Sequence, residues 1–141
     1  MSIEDNKALV RRAFEEVWMQ GNLAAVDQLF APNYLMHNPG ATWVVLGSLS
    51  VKQTVTEVRT AFPDFSLSVE EVIAEGEKVM TRYTWRGTQQ RPLWNIAPTG
   101  KQATVTGIVV SRVVDGKIAE EWGVVDMFGL MRQLGVIPAL G

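Results

Sequence analysis

The stretch Asp115-Gly116-Lys117-Ile118-Ala119-Glu120-Glu121-Trp122-Gly123-Val124-Val125-Asp126, followed by Met127 to Gly135, decides the reading of this chain. Asp115-Gly116 is a two-residue turn signal, because both residues tolerate the positive φ of a tight hairpin. The strand it launches alternates with period two, which predicts Glu120, Trp122, Val124 and Asp126 on one face. If that face packs against helices, Asp126 sits beside an indole near the apolar interior, where an unpaired carboxylate is costly and its pKa tends to rise. Asp126 is therefore a candidate proton-transfer group, expected within side-chain contact of Trp122 or His37. It also directly precedes Met127-Phe128-Gly129-Leu130, and aspartate is a favoured helix N-cap. Both roles are open to the one side chain.

Working outward, the same period recurs over Phe65 to Ala74, Lys78 to Thr88 and Thr104 to Val114, with Ile118 to Met127 as the closing strand. The N-terminal half has a helical period instead. Ser2-Ile3-Glu4-Asp5 resembles a capping box, and Ile3, Val10, Phe14 and Val17 follow at helical spacing to about Gln20. Gly21-Asn22 stops that helix and precedes a second, with Leu23, Val26, Leu29 and Phe30 on its apolar face and Pro32 at its end. An extended segment at Tyr34 to His37 leads into a turn at Asn38-Pro39-Gly40. A third helix runs from about Ser50 to Ala61, with Val51, Val55, Val58 and Phe62 on one side, and breaks at Pro63-Asp64. Three helices followed by a strand meander predict an α+β fold. The one long connection, Gln89 to Gly100, carries Trp94 and is placed to act as a lid, an apolar cover or a subunit contact.

At 141 residues the chain fits one domain, 1–141. A net charge of -2, without a Lys/Arg cluster, excludes an electrostatic footprint for nucleic acid. Without cysteine, and with a single histidine, thiolate chemistry and multi-histidine metal sites are out of reach within a protomer. No Gly-rich phosphate loop marks a nucleotide cofactor. No apolar stretch reaches membrane-spanning length, and the first residues are acidic and polar rather than basic and then apolar. The expectation is a soluble cytoplasmic protein that uses neither metal nor cofactor.

In order along the chain, His37-Asn38-Pro39, Ala61-Phe62-Pro63-Asp64, Arg82-Tyr83-Thr84-Trp85-Arg86-Gly87-Thr88, Ala97-Pro98-Thr99-Gly100-Lys101, the Glu120 to Asp126 strand and Arg132-Gln133-Leu134-Gly135 make the sequence resemble the SnoaL-like polyketide cyclases, of the nuclear-transport-factor-2-like superfamily. The resemblance spans nearly the whole chain. It implies a cone-shaped α+β barrel, with three N-terminal helices packed on a curved, mostly antiparallel sheet that encloses a pocket, and a homodimer. It further implies a cofactor-independent ester-cyclase type of enzyme that performs acid/base aldol ring closure on a polyketide-like substrate, with Asp126 as acid/base residue. The alternative from another class is a small-molecule binding or assembly domain that uses the same pocket without turnover.

The other candidates follow from their side-chain chemistry. His37 is the one imidazole of the chain, a side chain that suits proton transfer or carbonyl polarisation, although a histidine beside Asn38 also serves as a turn residue. Arg82, from an inward strand face, could hold Asp126 ionised or bind an enolate oxygen; Arg112 is the second such guanidinium, and an outward face is open to both. Tyr34, Met80, Trp85, Trp122 and Met127 offer aromatic and soft surface to a planar ligand, or else pack the core. Gln89 stands where relatives often carry histidine, and its amide hydrogen-bonds without shuttling protons. Met80 and Thr84 flank Arg82 and Val110 and Val114 flank Arg112, so the carboxylate-arginine strand pair of the superfamily's epoxide hydrolases is missing. Val105, Val109 and Val113 alternate with Ile108, Val110 and Val114, leaving both faces of one strand apolar. A second copy paired across the open sheet face would cover the outer one.

Overall fold

In the computed structural model, which describes residues 2–38 and 45–138, Ser2 opens the first helix as the sequence predicts. Its hydroxyl accepts from the Asp5 amide at 3.0 Å, and the Asp5 carboxylate accepts from the Ser2 amide at 3.2 Å, a complete capping box. Helix α1 (Ile3–Arg12) continues as a π-helical segment, Ala13–Met19. It ends at Gly21, whose φ of +71° suits glycine. Arg59 donates from Nη1 to the Trp18 and Met19 carbonyls at 2.6 and 3.0 Å, satisfying backbone acceptors that the helix end leaves open.

Helix α2 (Ala24–Leu29) stops short of Pro32, the expected end, because Phe30 already belongs to strand β1 (Phe30–His37). A two-residue strand β2 (Val45–Leu46) leads into α3 (Gly47–Ala61), which starts three residues earlier than Ser50. Strands β3 (Ser66–Glu75), β4 (Lys78–Thr88), β5 (Gln102–Val114) and β6 (Lys117–Val125) fall where the period-two reading puts them, within three residues at each end, and α4 (Met127–Gln133) closes the chain. The Asp115-Gly116 turn has φ of +50° and +75°, the paired positive values of a tight hairpin. The expected turn at Asn38-Pro39-Gly40 extends beyond Asn38 outside the described residues, as does Trp43.

The strands form one curved, unclosed sheet in the order β2-β1-β6-β5-β4-β3. All neighbours are antiparallel except β1 and β6, which run parallel with Met36 opposite Glu121 and His37 opposite Trp122. This non-local pairing is the topological feature a meander reading omits. The sheet's inner face carries Val79, Val109, Val113 and Ile118 against Val10, Phe14, Val17 and Val26 of the helices. A second cluster joins Phe62, Trp85, Leu93, Val105, Leu130 and Leu134. Among the described residues no helix is long and apolar enough to cross a membrane.

Candidate active site

Between the two clusters the inner face and the helices leave a cavity of about 800 Å³, in the range that holds a small organic ligand. Phe14, Trp18, Phe30, Tyr83 and Trp85 line it, and its carboxyl groups are Glu121 from β6, Asp126 at the end of that strand, and Glu57 from α3. Tyr34, Trp85 and Met127, expected to face a ligand, all lie on this wall. Trp85 packs at the same time on Phe62 and Phe65, with ring centroids 5.0 and 5.4 Å away.

Strand β6 does not keep a single alternation. Arg112 pairs with Glu120 but Val113 pairs with Ile118, so Ala119 is an extra residue in the ladder. A bulge of this kind reverses which side chains face the core. Ile118 is fully buried, and beyond the bulge Glu121, Gly123 and Val125 face inward while Glu120, Trp122 and Val124 face out. The expected inward placement of Trp122 beside Asp126 is corrected accordingly. Four residues also separate the two along the chain, roughly 13 Å at strand rise.

The outer face gathers several other candidates. His37 stacks on Trp122 with centroids 5.4 Å apart and planes 11° from parallel, and its Nε2 lies 2.6 Å from Glu120 Oε2. Lys78 Nζ covers the Trp122 ring at 5.0 Å. Arg112 donates from Nε to Glu120 Oε1 at 3.0 Å. The His37 hydrogen bond, followed by the Arg112 one, holds the Glu120 carboxyl below its ordinary range against some burial. Arg82 alternates with the inward Thr81 and Tyr83, and its Nε lies 3.5 Å from Glu71 on the neighbouring strand; it is also among the residues that border the cavity. Met80, opposite Ile73 and Val110, stands on that outer face too. His37, Arg82, Arg112, Met80 and Trp122 thus share the outer face, and of the five Arg82 also borders the cavity.

Asp126 meets the cavity and α4 at once. Its Oδ1 accepts from the Gly129 amide at 2.8 Å, an N-cap bond, while its own amide donates to the Thr106 carbonyl at 2.9 Å. No hydrogen bond from the described residues reaches Oδ2, and the side chain lines the cavity. The cap therefore orients the carboxylate without consuming it.

Deeper on the same strand lies a carboxyl that the uniform alternation concealed. Glu121 Oε1 accepts from the Tyr34 hydroxyl at 2.7 Å, and Oε2 accepts from Ser111 Oγ across the β5–β6 ladder. Burial pushes this carboxyl up from its ordinary 4.5, and the two hydroxyl bonds offset part of the rise. Burial, and then the Glu121 charge, also lift the Tyr34 phenol well above its ordinary range and the Tyr83 phenol to about 12. Tyr83 owes its pose to Gly107 opposite it, where a Cβ would stand 2.4 Å from the phenol oxygen. Since the folded chain holds the Glu121 proton more tightly than the unfolded chain, stability falls as pH rises above about 4.5 towards the raised value. Glu121→Gln is expected to melt above wild type at neutral pH, with the gap closing below pH 4.5 as wild type protonates. Equal gaps at both pH values in thermal melts contradict this.

Gln89 is fully buried. Its Oε1 accepts from the Thr99 amide and hydroxyl at 3.2 and 2.9 Å and its Nε2 donates to the Ile96 carbonyl at 3.2 Å. It ties the long connection into a fixed loop, which seats Leu93 in the core and brings Trp94 to the cavity, with Nε1 3.2 Å from Glu57. Among the described residues no group of three or more His, Asp and Glu could hold a metal ion.

An α+β sheet of this order, wrapped by N-terminal helices around an apolar chamber, is the fold of the NTF2-like proteins. Within that class, the chain belongs to the SnoaL-like polyketide cyclase family, whose model matches residues 8–134. No curated protein matches it in sequence. Among solved structures it is similar to AclR of Streptomyces galilaeus, provisionally described as a hydroxylase, at 27% identity over 97% of this chain and 100% of that one, with a TM-score of 0.84. A provisional polyketide cyclase from Acidithiobacillus ferrooxidans is 29% identical over 98% and 100% of the two chains, TM-score 0.82. TsrD of Streptomyces laurentii is 26% identical over 97% and 99%, TM-score 0.86.

Proposed function

We propose that the protein is a cofactor-independent enzyme that abstracts a proton from a carbon acid and closes a ring by intramolecular aldol addition, on a planar, polyketide-like substrate held in the cavity. The observation that carries this reading is Asp126: a carboxylate on the wall of a largely apolar chamber, oriented through Oδ1 with Oδ2 left open. Oδ2 takes a proton from a carbon flanked by carbonyls, the enolate carbon attacks a second carbonyl of the same molecule, and the resulting alkoxide takes the proton back from Asp126. Tyr83 points its hydroxyl into the chamber with no hydrogen bond from the described residues. It replaces His37 and Arg82, which stand on the outer face, as the donor for developing enolate charge.

The test is proton exchange in D2O at the acidic carbon of an aromatic β-keto ester, with mass spectrometry also following a ring-closed product of unchanged composition. Exchange above the buffer rate supports the reading. Tight binding without exchange favours the non-catalytic binding domain instead.

The same proposal includes a homodimer formed by the outer sheet face. Ile108 and Val124 are 48% and 64% exposed there, beside Val110 and the Trp122 stack, and a contiguous apolar patch of this kind marks an interface. Light scattering at micromolar concentration is expected to give twice the chain mass of 15.6 kDa, and Val124→Lys is expected to give the monomer. A monomeric wild type overturns the assignment.

A further inference from the structure

Glu121 is a half-buried, ionisable group that the proton transfer above does not use. It sits on β6 five residues before Asp126, roughly 16 Å away between Cα atoms at strand rise, with its carboxyl on the same cavity wall. Tyr34 and Ser111 fix the carboxyl from two sides. Phe30 in turn packs edge-on against Tyr34, with centroids 5.1 Å apart and planes at 88°. Among the described residues Glu121 has no ion-pair partner.

Donor counting shows what this cluster accepts. With Glu121 ionised, the protons of Tyr34 and Ser111 are both spent on the carboxylate and only lone pairs face the cavity. With Glu121 protonated, three protons serve two hydrogen bonds and one donor is spare. A ligand carbonyl fits only the second state, and an ammonium group fits only the first. A hydroxyl, both donor and acceptor, fits either one.

Resting on the reading that the cavity holds a planar ligand, we propose that Glu121, Tyr34 and Ser111 form a second polar subsite, which binds a phenolic or enolic hydroxyl at the end of the ligand remote from Asp126. The subsite sets which end of the molecule enters first and so which carbon lies against Oδ2 of Asp126. It is a specificity device, and Glu121 takes no part in the proton transfer itself.

The experiment compares binding of 2-naphthol and 2-methylnaphthalene, which differ by a hydroxyl against a methyl of similar size, by calorimetry on the intact protein. Wild type is expected to prefer the naphthol by about tenfold, the scale of one net hydrogen bond. Glu121→Met should abolish the preference, and Glu121→Gln should retain part of it. Equal wild-type affinities, or a preference that survives Glu121→Met, overturn the subsite and leave the cavity reading standing. If neither probe binds, the planar-ligand reading falls together with the subsite. Should Glu121→Met fail to fold, the wild-type comparison and the isosteric Glu121→Gln decide.

Discussion

Asp126→Asn is expected to lower turnover by roughly 10²–10⁴-fold, the usual cost of removing a general base, while the melting temperature stays near that of wild type. The substitution separates two functions that share one side chain. Asparagine caps helices about as well as aspartate, and its amide oxygen can still accept from the Gly129 amide now held at 2.8 Å. Helix α4 therefore keeps its start, and Leu130 and Leu134 stay in the second core cluster. What is lost is the ability of Oδ2 to take a proton. Asp126→Ala, by contrast, removes cap and base together and should also cost about 1 kcal/mol of stability. The check is to measure D2O exchange and thermal melts on both variants. Full turnover in a folded Asp126→Asn protein would reduce Asp126 to a helix cap and end the general-base proposal.

The sheet was legible because its residues obey local rules. Lys78 to Thr88 alternates strictly, with Val79, Thr81 and Tyr83 facing in and Arg82 and Arg86 facing out, and Asp115-Gly116 announces its hairpin by turn chemistry alone. The candidate site was legible only in part, and the reason is a single residue. A bulge is a property of the pairing between two strands, and nothing in Ile118-Ala119-Glu120 marks Ala119 as the unpaired position. Uniform alternation therefore carried Trp122 inward and Glu121 outward, the reverse of what the ladder does. Trp85 lines the cavity from a ladder without a shift at its position, whereas Tyr34 lines it although the β1–β6 register shifts between Phe30 and Leu35. The signal that could have found Glu121 is the adjacent pair of carboxyls: of Glu120 and Glu121 one must face the core, and Ser111 on the partner strand offers a hydroxyl only on the inner side. His37 and Arg112, to which the sequence leaves both a pocket role and an alternative open, bind Glu120 on the outer face, where charges remain in contact with water and cost little to ionise.

Gly129→Ala is the second large effect, and it is expected to lower activity by roughly 10²-fold or more, the scale of a misplaced catalytic group. Gly129 lies inside α4 with an ordinary helical setting, so alanine should favour the helix by about 1 kcal/mol. Its Cβ, however, would stand 2.2 Å from Asp126 Oδ2 and 2.7 Å from Cγ. A carboxylate on so short a side chain can relieve that overlap only by swinging off the helix start, which breaks the bond from the Gly129 amide and costs a cap worth about 1 kcal/mol. The gain and the loss in stability are of similar size, so the melting temperature should move by only a few degrees while the base leaves its place. Turnover and thermal melts recorded in parallel distinguish this from ordinary destabilisation. Combining the two changes gives the sharper result: Asp126→Asn with Gly129→Ala should be little less active than Asp126→Asn alone, because a displaced base and a missing base fail at the same step. Independent, multiplying losses in the double variant would mean that Gly129 acts through something other than the seat of Asp126.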